Sequence, residues 1–273
     1  LINHDNTIKW SMNIDKQNII ELVAIPNSKN HYTLCLSSQV GCAVKCSFCF
    51  TGTKGFKRNL KPYEIISQIL QASKRISFIF KTKKITNIVV MGMGEPLLNI
   101  KNLLSALNVI ISKYTYNINI NKITISTSGI LLYMKELILH KIPLALSLHA
   151  SSDKLRNQLM PINKKYSITS LLKYCKIFSI SNKLTIEYIM LKNVNDSKKD
   201  ALDLITLLNN IKCKICLIPF NNFPDSFYKS SDMKNIIKFK NILIKHGKVT
   251  TIRKKLGFEI GAACGQLTSD ISV

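Results

Sequence analysis

Residues 33–49 read TLCLSSQVGCAVKCSFC. The opening part, Thr33–Ser38, is short, apolar and β-leaning, and it predicts a strand. A polar loop follows, with Cys42, Cys46 and Cys49 in C-x3-C-x2-C spacing. Thiolates spaced this way hold zinc or an iron–sulfur cluster. A structural zinc site is closed by four ligands. Here the nearest histidine, His31, precedes the strand, and no second pair follows in the loop. A cubane on three cysteines keeps one iron open, and a substrate's amino and carboxylate groups can chelate it. The spacing favours the cluster, with zinc as the alternative.

The strand-then-polar-loop pattern recurs outward from this stretch. Strand candidates are Thr86–Met91, Lys122–Ser126, Pro143–Leu148, Thr185–Met190 and Lys214–Pro219, with Thr250–Arg253 a late one. Helical periods lie at Pro62–Ser77, Ile100–Lys113, Leu131–His140, Ile168–Ile180, Lys198–Leu208 and Ser231–His246. Such alternation predicts an α/β fold with a parallel sheet. Six units are too few for a full eight-fold barrel, so the expectation is a partial, TIM-like (β/α)6 barrel. Function then belongs at the carboxyl ends of the strands. GMGEP, STSG, SLHA and PFNNF each follow a strand candidate, as the cysteine loop does.

The chain has 273 residues, 46% of them hydrophobic, enough for one sizeable core. It has no apolar run of about 18 residues and no signal-peptide pattern, so its eight cysteines imply a reducing compartment, the cytoplasm by default. The net charge of +24 points to a polyanionic partner, nucleic acid first. Lysines scattered by composition alone would instead be a solvated surface. Candidate phosphate contacts are Lys54, Lys57, Arg58 and Lys61 after the cysteine loop, Lys164 and Lys165, and Arg253, Lys254 and Lys255. Cys213 and Cys216 lie three apart in a strand-like run, on opposite faces, and with Cys175 read as core residues.

The segments TLCLSSQVGCAVKCSFC, VVMGMGEPLLN, ITISTSG, LSLHA, MPINKKY, TIEYIM and AACGQL resemble a family of radical S-adenosylmethionine (SAM) enzymes, the bacterial dual-specificity methyltransferases that modify C2 of adenosine in RNA. The resemblance implies the radical SAM barrel, with a C-terminal segment closing over its mouth. It also implies roles, position by position. Cys42, Cys46 and Cys49 would hold the [4Fe-4S] cluster. Gly94, Glu95, Ser126, Ser147, Leu148, His149 and Asn221 would line the SAM site. Cys264 matches a cysteine that carries the methyl group, Cys35 its partner thiol, and Glu21 a proton acceptor, a part Cys35 could also take. Residues 1–32 are read as an N-terminal extension, the remnant of a larger region that includes the family's additional helical domain, and 33–273 as the core with its cap. The chain opens on Leu1, not Met, which points to residues before it.

Adenine C2 is electron-poor and does not attack the SAM methyl group, so a radical route is needed, with the hard chemistry carried by the cofactor. The implied reaction uses two SAM per turnover and passes through a methylated Cys264 and a transient disulfide. Implied substrates are 23S rRNA at the peptidyl-transferase centre and tRNA next to the anticodon. Implied companions are a one-electron reductant such as a flavodoxin system and no membrane, with the protein acting as a monomer. The alternatives are a C8-specific adenosine methyltransferase of the Cfr type and a non-catalytic, zinc-containing RNA-binding protein.

Overall fold

The computed structural model describes residues 1–27, 31–81 and 83–268. Its contacts divide the chain into two compact units. Among the described residues, one comprises 1–43, 50–126 and 256–268; the other comprises 44–49 and 127–255.

The first unit opens with β1 (Ile8–Asn13) and β2 (Ile19–Pro26), an antiparallel pair, and β2 pairs antiparallel with β3 (Tyr32–Cys35). A separate two-stranded ladder joins β4 (Gln39–Gly41) to β5 (Phe56–Asn59), with the one-turn α1 (Phe50–Thr53) ahead of β5. Helix α2 (Pro62–Ile79) starts at a Pro in its first turn, where the missing N–H is no loss. Glu64 accepts from the Lys61 N–H at 2.7 Å and so satisfies a backbone donor at the helix start. Ile65, Ile69, Ala72 and Ile76, spaced at four and three residues, are the buried stripe of α2. Strand β6 (Ile85–Val90) then runs parallel to β3, α3 (Ile100–Ile111) follows, and β7 (Ile123–Thr127) runs parallel to β6.

The second unit carries α4 (Leu131–Leu139), β8 (Leu144–Ser147), α5 (Asp153–Leu159), α6 (Ile168–Ser181), β9 (Leu184–Met190), α7 (Lys198–Leu207), β10 (Lys214–Pro219), α8 (Met233–Lys245) and β11 (Val249–Ile252). Its strands are parallel in the order β8-β9-β10-β11. Leu144, Ala145 and Leu146 are all buried, the continuous apolar run typical of a parallel strand covered on both faces.

The six anticipated parallel strands and their helices are present, so the α/β, (β/α)6 expectation holds. Two features differ. The hairpin β1–β2 lies in a region anticipated only as an extension, and the cysteine loop follows β4 rather than β3 directly. Among the described residues no helix is long and apolar enough to cross a membrane.

Candidate active site

In the first unit the turn after β6 is fixed by Ser37. Its Oγ donates to Glu21 O at 2.7 Å and accepts from Met93 N at 2.9 Å. Gln68 clamps the same residue from α2, accepting from Ser37 N and donating to Ser37 O, both at 2.9 Å. Gly94 has φ +101°, and a Cβ there would stand 2.5 Å from Gln39 Cβ, so no other residue fits without strain. Glu95 is buried; its N–H donates to Gln39 Oε1 at 2.7 Å and its own Oε1 accepts from Leu97 N at 3.1 Å. The GMGEP backbone is thus held before any ligand arrives. Ser126 sits at the end of β7, half-buried.

Cys35 closes β3 and is buried. It lies opposite Val23 of β2, which in turn lies opposite Lys9 of β1. Directly paired residues share a sheet face, and so do residues two apart on a strand. Cys35, Val23, Lys9 and Glu21 therefore share one face.

Cys264 is half-exposed in a segment tied down on both sides. Gly265 O accepts from Phe50 N at 2.8 Å and Leu267 O from Thr51 Oγ1 at 2.7 Å. Thr268 N donates to Glu21 Oε2 at 2.8 Å, while Glu21 Oε1 pairs with Lys9 Nζ at 2.9 Å. Farther back, Gly257 N donates to Asp5 Oδ2 at 2.8 Å. Phe50 is the residue after Cys49, so the Cys264 segment is bonded to chain that leaves the cysteine loop.

That loop has its own constraints. Gly41 has φ +72°, and a Cβ would come within 1.9 Å of Gly55 O; Cys42 N donates to Gly55 O at 2.8 Å. In the second unit Cys49 N donates to Cys46 O at 3.1 Å, and Ser47 N to Leu159 O at 3.0 Å. Phe48 is buried with Leu159, Met160, Ile189 and Phe220, and Cys46 and Cys49 pack against this cluster. Among the described residues no three His, Cys, Asp or Glu side chains are gathered for a single metal ion. The donor set on the loop is three soft thiolates without a carboxylate or imidazole, which suits iron–sulfur chemistry.

His149 follows β8 with φ 60°. Its Nδ1 accepts from Ile189 N at 3.0 Å, so the ring's proton is on Nε2, and Phe48 meets the ring edge-on at 4.8 Å. Burial, then the positive Arg156 and Arg253, push its pKa down to about 3, and the ring is neutral at pH 7. Leu148 and Asn221 are buried and Ser147 is half-buried.

Two residues the sequence reading passed over, Arg156 and Asn163, organise these strand ends. Arg156, fully buried on α5, donates from Nε to Leu148 O at 3.0 Å and from Nη2 to Ser147 O at 2.9 Å and Ser128 O at 2.7 Å. Its Nη1 donates to Asn163 Oδ1 at 2.8 Å, and Asn163 Nδ2 is held by Asp153 Oδ1 at 2.7 Å. Burial lowers the Arg156 pKa to about 10, so the guanidinium stays charged at neutral pH. The only hint in sequence was a basic residue inside KLRNQLMPIN.

Among the phosphate-contact candidates, Lys54, Lys57, Lys61, Lys164, Lys165, Lys254 and Lys255 are exposed. Two differ. Arg58 pairs with Asp15 at 2.8 Å and Glu64 at 2.9 Å, and Arg253 pairs with the buried Glu187 at 2.6 Å. Those guanidiniums neutralise the chain's own carboxylates instead. Cys175 and Cys213 are pushed up by burial to about 12 and about 11, as fits inert thiols.

Residues 36–205 match the Radical SAM superfamily model. The fold is similar to the crystal structure of a radical SAM methyltransferase from Sphaerobacter thermophilus, at 36% identity and a TM-score of 0.94, covering 99% of this chain and 80% of that one. The sequence is 52% identical over 278 residues to the dual-specificity RNA methyltransferase RlmN of Wigglesworthia glossinidia brevipalpis, covering 99% of this chain and 72% of that protein. It is 50% identical over 277 residues to the protein of that name from Buchnera aphidicola subsp. Acyrthosiphon pisum, covering 99% and 76%. The chain belongs to the radical SAM superfamily and, within it, to the RlmN family of RNA methyltransferases. It is a radical SAM RNA methyltransferase, of a superfamily that works with a [4Fe-4S] cluster and SAM.

Proposed function

We propose that this chain methylates C2 of adenosine in 23S rRNA, at the peptidyl-transferase centre, and in tRNA next to the anticodon, by way of a methylated Cys264. The observation that supports this most is the tethering of the Cys264 segment. One side is bonded to Phe50 and Thr51, directly after Cys49; the other is bonded to Glu21, on the sheet face that carries Cys35. Two thiols from distant parts of the chain are thereby referred to one strand pair.

Cys42, Cys46 and Cys49 would hold the cluster. Gly94, Glu95, Ser126, Ser147, Leu148, His149 and Asn221 would line the SAM site, with the His149 Nε2–H as a neutral donor. When bound, the cluster and SAM supply one-electron cleavage that yields a radical able to take hydrogen from a methyl group. Two SAM are consumed per turnover, one to methylate and one to start the radical.

The chain's own part begins at the Cys264 thiolate, which would attack the methyl carbon of the first SAM, forming an S–CH3 bond as the sulfonium C–S bond breaks and S-adenosylhomocysteine leaves; thiolates are the strongest side-chain nucleophiles. Once that methyl has lost a hydrogen atom, its carbon bonds to C2 and ties the RNA to Cys264. Loss of the C2 proton and of one electron, the latter taken back by the one-electron redox system that supplied the first, would restore the aromatic ring, and Glu21 and Cys35 are the candidate acceptors for that proton. The Cys35 thiolate then attacks the Cys264 sulfur. The S–S bond forms, the C–S bond breaks, and its electron pair stays on the new methyl carbon, which takes a proton. The disulfide is transient and must be reduced between turnovers.

RNA would be held by the exposed lysines around these loops, with the adenine unstacked into the site. The core is residues 33–273 with its C-terminal cap, and residues 1–32 form an N-terminal extension to it. A flavodoxin-type system would donate the electron, and the protein would work as a cytoplasmic monomer. Mass spectrometry of nucleosides from RNA treated with the anaerobically reconstituted protein tests the reading. The expected product is 2-methyladenosine; 8-methyladenosine alone would assign a C8 enzyme.

A further inference from the structure

Glu21 matches a position with a proton-accepting part, yet its surroundings suit a different task. The side chain is buried, with the residue only 5% exposed, and both oxygens are engaged: Oε1 by Lys9 Nζ at 2.9 Å, Oε2 by the Thr268 N–H at 2.8 Å. Lys9 sits on the neighbouring strand, opposite Val23 and so diagonal to Glu21. Its ammonium also reaches Gly261 O at 3.4 Å. The ion pair thus touches both ends of the stretch 261–268, which contains Cys264. Accepting a proton from a base would neutralise the carboxylate and leave the Lys9 ammonium without its counter-charge in a largely buried place, which is costly there.

We propose that Glu21 and Lys9 form a latch that positions the Cys264 segment over the sheet face carrying Cys35. This rests on the methyl-carrier reading of Cys264. The latch holds the stretch 261–268 through charged groups, whereas the contacts at Phe50 and Thr51 are neutral and would remain if it broke. Freed at Thr268, the segment would keep its hold beside the cysteine loop and lose its hold on β2. Cys264 would then meet Cys35 less often, and resolution of the covalent RNA adduct would slow.

The test uses hydrogen–deuterium exchange over 261–268 in the purified chain, which requires no turnover. Lys9→Met and Glu21→Ala should each speed exchange there by about tenfold, the scale of one charge-assisted hydrogen bond. The double variant should exchange no faster than either alone. Glu21→Gln keeps a carbonyl oxygen for Thr268 N, so its exchange should stay within about threefold of the parent, with methylation partly retained. Unchanged exchange in Lys9→Met overturns the latch even if Glu21→Ala does not fold. A Glu21→Gln variant as inactive as Glu21→Ala, beside a fully active Lys9→Met, assigns the base to Glu21 and overturns it too. Absence of 2-methyladenosine with the parent chain would instead sink the functional reading and leave the exchange result standing.

Discussion

Replacing Arg156 with lysine should cost stability out of proportion to so conservative a change. The guanidinium spans four acceptors, Leu148 O, Ser147 O, Ser128 O and Asn163 Oδ1, at 2.7 to 3.0 Å. Lysine has a similar stem, but its three donors radiate from one nitrogen and do not reproduce the planar fork. At best it reaches two of the four acceptors. Each buried acceptor left over costs about 1–3 kcal/mol, so the expected loss for two is about 2–6 kcal/mol. Urea denaturation followed by circular dichroism measures it, provided the slope m is unchanged. The carbonyls concerned belong to the ends of β7 and β8, so SAM affinity should fall as well, read by equilibrium binding at saturating cluster content. An Arg156→Lys variant whose stability stays close to that of the parent, with no resolvable shift in the urea midpoint, would refute the reasoning.

His149 sets a pH dependence. Its folded pKa of about 3 lies below the unfolded value near 6.5, so the unfolded chain binds the proton first and stability falls as pH drops from about 6.5 toward 3. At pH 5 the loss from this group should be about 2 kcal/mol, and His149→Phe should flatten that limb of a pH series of denaturation curves. Gly94→Ala should cost about 1–3 kcal/mol, because φ +101° and the 2.5 Å approach to Gln39 Cβ leave no room; a thermal melt indistinguishable from that of the parent would contradict it. Cys35→Ala should accumulate a covalent RNA–protein adduct on denaturing gels, whereas Cys264→Ala should cleave SAM and form none.

Much of this was legible because the signals are local. Lys214–Pro219 is a strand in sequence and in space alike, since an apolar run bounded by breakers needs little context. The capped start of α2 at Pro62 is equally local. Strands β1 and β2 were not legible: IKWSMN mixes one charge and two polar residues into its alternation, and its register depends on partners elsewhere in the chain. Cysteine spacing named the candidate cluster ligands, yet could not reveal what secures Cys264. That depends on Lys9, Glu21 and Thr268, far apart in the sequence and joined only by folding. The same holds for Arg156, whose role rests on three carbonyls that sequence does not display. Arg58 and Arg253 looked like phosphate contacts because charge counts do not show which carboxylate a guanidinium already serves.

The reaction path turns on whether the methyl group stops at Cys264 on its way to the base. Supplying SAM with a fully deuterated methyl group and weighing the methyladenosine formed decides this directly. Passage through Cys264 removes one hydrogen from the methyl carbon, so the product methyl should carry two deuterons. Three deuterons would mean intact transfer and would contradict the account.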